Sequence, residues 1–186
     1  MSTTSNDLTK NYSGIFGNQV LLKNKKGRSV MTIPAYKPKK EPTEGQTATR
    51  ERFADAAAYA MEALQDAEML AAYTAKAGRG KIPYIVAVTD FLKPPQVKSI
   101  DTSDYEGNPG DKILIEARDD FAVKSVEVCI ISSAGEKIEK GEAALNMLNS
   151  RFEYTATVSV PELDGVTITA TAEDYPKHKA ERSITL

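Results

Sequence analysis

The sequence predicts an α+β protein in which an N-terminal β-hairpin and a small helical cluster are followed by an all-β, immunoglobulin-like sandwich. Apolar residues recur at helical spacing between residues 43 and 92, whereas after Pro95 they alternate with polar residues. About seven short alternating runs fill residues 96–186, separated by turn sequences such as EGNPGD, SAGEK and PELDG. We therefore expect a flexible arm over residues 1–14, a hairpin with three helices over 15–95, and the sandwich over 96–186.

Two β-prone runs near the N-terminus predict the hairpin. Residues 19–22 and 29–33 flank the sequence KNKKG, in which Gly27 supplies the permissive backbone that a turn needs. A two-stranded ribbon alone is marginal in water, so the hairpin has to pack on something else. The polar residues 1–14 predict an arm that is flexible or is ordered by a partner. The stretch PAYKPKKEP predicts an extended linker after the hairpin.

Helical spacing predicts three helices after this linker. The first begins at Thr43, where TEGQ has the spacing of a capping box. It carries one apolar stripe, formed by Phe53, Ala57, Ala60, Met61 and Leu64. A second, shorter helix starts at Asp66 and ends at a glycine, either 78 or 80. The third segment, KIPYIVAVTDFLKPP, is also compatible with a strand, but its apolar spacing and a proline in the first turn favour a helix.

Alternation after Pro95 predicts which residues face the core of the sandwich. Each run has one apolar and one polar face, as expected of antiparallel strands that cover a core on one side. The expected core positions are Ile113, Ile115, Ala117, Val126, Val128, Ile130, Phe152, Tyr154, Ala156, Val158, Val160, Val166, Ile168, Ala170 and Ala172. Cys129 has the opposite parity and is expected on the outer face.

Composition restricts the chemistry. The net charge of −2 gives no reason to expect a nucleic-acid partner, and no apolar run is long enough for a membrane span. One histidine, one cysteine and no tryptophan leave little for a nucleophilic or zinc site. No P-loop, G-x-G-x-x-G, H-E-x-x-H, G-x-S-x-G or C-x-x-C occurs, so we expect the protein not to be an enzyme. The single cysteine and the lack of an apolar leader predict a cytoplasmic location, with leaderless export or particle association left open.

Two acidic corners are candidates for a metal site. Asp119 and Asp120 follow the second predicted strand of the sandwich, and Glu173 and Asp174 follow the sixth. In an immunoglobulin-like topology these corners lie at the same end, where carboxylates gathered from loops can bind calcium. The alternative is that both corners face water and only accept turn hydrogen bonds. No other cofactor is expected.

Basic residues crowd the hairpin and the linker, at Lys23, Lys25, Lys26, Arg28, Lys37, Lys39 and Lys40. They are interpreted as a solvated hairpin tip and linker, with a patch that binds nucleic acid or another anionic surface as the alternative. The expected interface combines apolar residues of the hairpin with two arginines of the first helix: Val20, Leu21, Leu22, Val30, Ile33, Arg50 and Arg52.

Several motifs of the N-terminal half resemble those of an uncharacterised bacterial family known mainly from Bacteroidota. They are Gly17-Asn18-Gln19-Val20, Gly27-Arg28-Ser29-Val30, Pro38-Lys39-Lys40, and the helix start that contains Thr43, Glu44, Gln46, Arg50, Arg52 and Phe53. The C-terminal half is similar to bacterial immunoglobulin-like modules whose strands end in A-x-D, here Ala117-Arg118-Asp119 and Ala172-Glu173-Asp174. The resemblance implies a two-part organisation and a helical third segment, and it implies no activity.

These features predict a non-enzymatic structural protein that assembles with copies of itself, as a filament, a tube or a phage-like particle. The polar arm and the hairpin lack a core of their own and are suited to adding a strand to a neighbouring subunit. The alternative is a binding or adhesion module whose acidic loop end recognises a carbohydrate or a protein, with or without calcium.

Overall fold

Three helices and ten strands are found in residues 13–25, 28–34, 41–78 and 82–186, which are the residues that the computed structural model describes. The contacts divide the chain into two compact units, Met1–Glu44 and Gly45–Leu186. The helices therefore share a unit with the large sheet, whereas the sequence analysis predicted a domain boundary between residues 95 and 96. Most of the predicted arm, the linker residues 35–40 and the turn residues 26–27 lie outside the described residues.

The first unit contains a three-stranded antiparallel sheet rather than a two-stranded hairpin. Its strands are β1 (Gly14–Phe16), β2 (Val20–Lys25) and β3 (Arg28–Thr32), in that spatial order. The added strand β1 is joined to β2 by a tight turn in which Gly17 and Asn18 both have a φ of 55°. Glycine and asparagine tolerate this left-handed backbone best, which gives the Gly-Asn pair a structural reason.

Helices α1 (Glu44–Ala63), α2 (Ala67–Ala77) and α3 (Pro83–Leu92) form the predicted cluster. Oδ1 of Asp66 caps α2 by accepting hydrogen bonds from the backbone N–H groups of Glu68 and Met69, at 2.9 Å each. The shared core is small and is formed by Ala56, Ala60, Tyr73, Ala87 and Val88.

The predicted apolar stripe of α1 is wrong at two positions. Phe53 and Met61 are more than half exposed, whereas Ala56 and Ala60 are fully buried. The buried face of α1 is therefore rotated from the one the large residues indicate. Alanines allow close packing next to the bulky Tyr73, so the neighbouring helices decide which face of α1 is covered.

Seven antiparallel strands form the sandwich. They are β4 (Gln96–Asp101), β5 (Lys112–Arg118), β6 (Val123–Ile131), β7 (Lys137–Asn146), β8 (Arg151–Thr155), β9 (Thr167–Asp174) and β10 (Lys179–Thr185). Their spatial order is β10-β9-β6-β7-β8-β5-β4. The long strand β7 pairs with β6 over its first part and with β8 over its last three residues, so it links two halves of one nearly closed sheet.

The core of the sandwich follows the predicted alternation. Ile113, Ile115, Val126, Val128 and Ile130 are fully buried, and β9 alternates strictly between buried and partly exposed residues. The predicted alternation through Val158 is wrong, because β8 ends at Thr155 and Val158 is exposed. None of the helices in the described part of the chain is long and apolar enough to cross a bilayer.

Candidate functional site

The two acidic corners do lie close together, but each pair divides between the interior and the surface. Asp174 is fully buried, and both carboxylate oxygens of Asp119 are shielded from solvent. Asp120 forms an exposed ion pair with Lys93. Of the four predicted calcium ligands, Asp119 and Asp174 therefore face the interior, whereas Asp120 faces a lysine at the surface.

Glu173, the other outward residue, is held by two lysines. Its Oε1 lies 3.6 Å from Nζ of Lys124, and its Oε2 lies 3.4 Å from Nζ of Lys179. The physical reason for the division is the pleat of β9, since successive side chains of a strand point to opposite faces. Within the described ranges, no three His, Cys, Asp or Glu side chains are arranged to hold a metal ion.

A third carboxylate, which the sequence did not single out, completes the buried group. Asp90 of α3 is 1% exposed, and its Oδ2 accepts a hydrogen bond of 2.6 Å from the hydroxyl of Tyr73 on α2. The hydroxyl of Tyr73 also lies 2.9 Å from that of Tyr59 on α1. All three helices thus contribute to one polar chain. We call Tyr59, Tyr73, Asp90, Asp119, Asp174 and His178 the acidic–aromatic cluster.

On the side of the sandwich, Asp174 is held by the turn that follows it. Its Oδ1 accepts a hydrogen bond from the backbone N–H of His178 at 2.6 Å, and its Oδ2 lies 3.0 Å from Nδ1 of the same residue. Burial raises the pKa of Asp174, although both hydrogen bonds from His178 oppose this effect. The imidazole ring packs edge-on against Phe91 of α3, with ring centroids 4.8 Å apart. His178 therefore connects the sandwich to the helices.

Aromatic rings enclose the cluster. Phe121, at the corner between β5 and β6, packs on Tyr73 with ring centroids 4.3 Å apart and on Tyr175 at 5.5 Å. Phe91 packs on Tyr59 at 5.4 Å. These contacts attach the helices to the acidic end of the sandwich and keep water from the carboxylates.

Three buried carboxylate oxygens of the cluster accept no hydrogen bond from a donor group in the described structure: Oδ1 of Asp90 and both oxygens of Asp119. The pKa of Asp90 is raised to about 7, first by burial and also by the charge of Asp119 and a direct interaction with its carboxyl group, while the hydrogen bond from Tyr73 opposes this rise. The pKa of Tyr73 is raised well above its usual range, first by burial and then by its hydrogen bond to Asp90. Asp90 is therefore suited to carry a proton near neutral pH.

Two surface grooves flank the cluster at the same end of the sandwich. The larger has a volume of about 660 Å³, and Arg118, Asp119, Leu145, Arg151 and Phe152 contribute to its walls. The smaller, of about 420 Å³, is lined by both members of the Lys93–Asp120 pair together with Gln96 and Lys98. These grooves are open to a ligand, and Asp119 of the acidic–aromatic cluster contributes to the walls of both.

The predicted interface residues are placed in two separate units. Val20 and Leu21 are partly buried and Leu22 is buried in the small sheet, while Val30 and Ile33 are exposed. The arginines are exposed on α1 in the second unit. There Nη2 of Arg52 donates a hydrogen bond of 3.5 Å to the carbonyl oxygen of Leu92.

One signal could have identified Asp90 from the sequence. It is the only charged residue in PYIVAVTDFL, a helix that is otherwise almost entirely apolar. A lone carboxylate on such a helix is rarely buried without a partner, so it predicts a buried polar contact. The sequence does not identify the partners of Asp90, because Tyr73 and Asp119 lie outside α3, in separate parts of the chain.

No family model, curated protein or solved structure matches the chain. The class of protein is therefore defined by its fold and its cluster alone. It is an α+β protein in which three helices are fastened by buried acidic and aromatic side chains to one end of a seven-stranded sandwich.

Proposed function

We propose that the protein is a non-enzymatic structural protein that assembles with copies of itself through its three-stranded sheet. The observation that carries this proposal is that both faces of this small sheet present apolar residues, several of them exposed, next to the polar residues Lys23, Asn24, Ser29 and Thr32. One face carries Phe16, Val20, Leu22 and Met31, and the other carries Ile15, Leu21 and Val30. Of these, Phe16, Met31, Ile15 and Val30 are more than 40% exposed.

Exposed apolar residues on both faces are unusual for a sheet that remains uncovered. Three strands of at most six residues provide little interior of their own, so such a sheet gains stability by packing against another surface. A neighbouring copy supplies that surface in a homo-oligomer, and the same contact repeated head to tail builds a filament, a tube or a phage-like particle.

The edges of the small sheet support the same proposal. Among the described residues, β1 and β3 each pair with a strand on one side only. An unpaired edge offers backbone N–H and C=O groups to a strand from another chain, which is the basis of strand addition.

The large sheet is less suited to this role because its two edges approach each other. The end strands β4 and β10 lie side by side, and Nη1 of Arg182 donates a hydrogen bond of 2.8 Å to the carbonyl oxygen of Lys98 across the gap. We therefore place the assembly contact in the first unit.

We further propose that the seven-stranded sheet is an immunoglobulin-like sandwich. Strands β4, β5 and β8 neighbour one another in one half, and β6, β9 and β10 do so in the other. This is the grouping expected of strands A, B and E against C, F and G. The strand β7, which pairs with both halves, takes the place between them. We also propose, from the sequence motifs alone, that the chain is related to the uncharacterised Bacteroidota family that it resembles.

The enclosure of Asp90 supports a non-enzymatic function. A general acid or base has to reach the proton of its substrate, directly or through one water molecule. Asp90 has the perturbed pKa typical of such groups, but aromatic side chains surround it and its exposure is 1%. Its carboxyl group is better placed to hold the helices than to meet a substrate.

A binding module is the second candidate, because the larger groove at the acidic end is open and contains two arginines. Arg118 and Arg151 contribute guanidinium groups, and Leu145 and Phe152 contribute apolar surface. This combination suits a protein or carbohydrate ligand that carries acidic groups.

The first experiment is light scattering coupled to size-exclusion chromatography, followed by negative-stain microscopy. Assembly predicts uniform particles well above the monomer mass, and Met31→Lys should disperse them because it places a charge on the exposed face. Met147→Lys is the matched control, since Met147 is 87% exposed on the sandwich and Met31 is 65% exposed on the small sheet. A wild-type monomer at high concentration contradicts the proposal. A monomer that binds acidic glycans or peptides, and loses them on Arg151→Gln, supports the binding module instead.

A further inference from the structure

We propose that Asp90 and Asp119 share a single proton, and that this proton fastens the third helix to the acidic end of the sandwich and makes the attachment dependent on pH. The inference does not depend on self-assembly, because it concerns contacts within the second unit. It assigns a proton-binding site to a pair of residues from α3 and from the corner after β5.

The buried oxygens of these two carboxyl groups require a hydrogen-bond donor or a positive charge. Asp90 is almost completely buried and uses only Oδ2, which accepts from Tyr73. Its Oδ1 and both oxygens of Asp119 are buried without a donor in the described structure. Asp90 also interacts directly with the carboxyl group of Asp119. Two carboxylates in contact in an interior of low dielectric do not both remain ionised. One proton on Oδ1 of Asp90 turns their repulsion into a strong hydrogen bond to Asp119.

None of the neighbouring groups in the described part of the chain donates a hydrogen bond to the unpaired oxygens of Asp90 and Asp119, so a shared proton is the partner that fits. From the helices come the phenols of Tyr59 and Tyr73, from the end of β9 comes Asp174, and from the turn that follows come Tyr175 and His178. Asp174 adds negative charge, and its oxygens are already occupied by His178. Three cationic side chains of the adjoining elements are paired elsewhere: Lys93 with Asp120, Lys76 with the carbonyl oxygen of Phe121, and Arg118 with Glu116.

The sign of the pH dependence follows from the raised pKa. In the native state Asp90 keeps its proton up to a pKa of about 7, whereas in the unfolded chain it releases the proton near its ordinary value of 3.8. Between these values the native state binds more protons than the unfolded state, so stability falls as pH rises. Asp174, whose pKa is also raised by burial, contributes with the same sign. Carboxyl groups with a lowered pKa, such as Glu139, act in the opposite direction and at more acidic pH.

The test is the melting temperature of the full chain between pH 5.5 and pH 8, followed by far-UV circular dichroism. The wild type should lose roughly 4–8 °C over this range, because the roughly 1.5 pH units between pH 5.5 and the raised pKa correspond to about 2 kcal/mol, and about 1 kcal/mol shifts Tm by 2–4 °C in a chain of this size. Asp90→Asn should abolish most of this loss. Its amide can donate permanently to Asp119 while its carbonyl oxygen accepts from Tyr73. The variant should therefore melt near the wild type at pH 5.5 and above it at pH 8.

Asp120→Asn is the matched control. Asp120 is adjacent to Asp119 but pairs with Lys93 at the surface, so this variant should keep the wild-type slope. Near-UV circular dichroism of the tyrosines provides a second readout. The signal of Tyr59 and Tyr73 should change between pH 5.5 and pH 8 in the wild type and not in Asp90→Asn.

Two results would overturn the proposal. One is a pH dependence of Tm that is the same in the wild type, Asp90→Asn and Asp119→Asn. Asp119→Asn decides the question if the first variant does not fold. The other is a rise of Tm on adding 1 mM calcium at pH 8 that Asp90→Asn removes, because the pair would then hold a metal ion in place of the proton.

Discussion

The hydroxyl of Tyr154 on β8 donates a hydrogen bond of 2.6 Å to Oε1 of Glu139 on β7. The same oxygen accepts from the backbone N–H and the hydroxyl of Thr157, at 2.7 and 2.8 Å, and Oε2 accepts from the backbone N–H of Val158 at 3.3 Å. Glu139 is buried, so these donors replace the water that it loses. The carboxylate thereby holds the irregular segment after β8 against β7.

Tyr154→Phe should lower the free energy of unfolding by about 1–2 kcal/mol, because it removes one hydrogen bond to a buried charge while the ring stays in the core. Urea unfolding followed by circular dichroism measures the difference. Tyr175→Phe is the control, since this ring packs on Phe121 and no hydrogen bond of its hydroxyl is found in the described structure. Equal losses in both variants would show that the bond to Glu139 contributes nothing specific.

Glu139 should also contribute to unfolding in acid. Burial opposes its ionisation, but the hydrogen bonds from Tyr154, Thr157 and Val158 outweigh burial and lower the pKa of its carboxyl group below 4.5. Its contribution to stability is therefore complete above pH 4.5 and is lost as pH falls through the lowered pKa. Glu139→Gln should be less stable than the wild type by about 1–2 kcal/mol at pH 7, and the difference should shrink towards pH 3.

Urea titrations at half-unit steps from pH 3 to pH 7 measure this convergence. Glu142→Gln on the exposed face of the same strand should run parallel to the wild type. A constant difference between Glu139→Gln and the wild type across the range would show that the charge of Glu139 is not what matters.

Gly107→Ala should be among the most destabilising single changes in the sandwich. Gly107 has a φ of +86°, and a Cβ atom there would lie 2.2 Å from the carbonyl oxygen of Val160. The backbone N–H of Val160 also donates to the carbonyl oxygen of Gly107 at 2.8 Å, so the loop cannot move away without losing that bond. We expect a loss of about 3 kcal/mol or more.

Gly110→Ala separates the clash from the backbone strain. Gly110 has a φ of +101°, but nothing lies within 4 Å of a Cβ atom at that position. Only the strain of a left-handed backbone remains, which costs about 1–2 kcal/mol. Equal losses of Tm for the two alanine variants would mean that the contact with Val160 relaxes freely.

Phe121→Ala should loosen the helices from the sandwich. The ring lies between Tyr73 and Tyr175, and it belongs to the helical core although it follows β5 in sequence. We expect a loss of about 3 kcal/mol, with faster hydrogen exchange in α2 and α3 than in β6 and β9. Phe53→Ala is the control, because Phe53 is 54% exposed and its removal should cost well under 1 kcal/mol. Uniform acceleration across the helices and the strands would contradict a local attachment.

The alternation of Val126, Val128 and Ile130 was sufficient to identify the core face of β6, because a strand has only two faces. The spacing of α1 was less decisive. A helix offers a continuous range of faces, and Phe53 and Met61 indicated a different one from that of Ala56 and Ala60. Large apolar residues mark a buried face only when the neighbouring elements have room for them.

The acidic corners show the same limit at the site. The sequence predicted that Asp119 and Asp174 lie at the same end of the sandwich, and in the structure the charge of Asp119 acts on Asp174. It did not predict that Asp120 and Glu173 turn outward to lysines, nor that α3 supplies Asp90. Ion pairs such as those of Asp120 and Glu173 depend on which side chains meet across a turn or a strand pair, and pattern alone does not contain that information.

The sequence by itself determined the local structure of this protein: three helices, the alternating strands, the punctuating turns and the inward parity of the sandwich. These follow from backbone preferences and from the exclusion of apolar side chains from water, which act within a few residues. Only the tertiary structure decided that Tyr73, Asp90 and Asp119 meet in one buried cluster. Their contact depends on the docking of helices onto a sheet, which the sequence pattern does not contain. Three buried carboxylate oxygens without a donor then require a proton or a cation at this position.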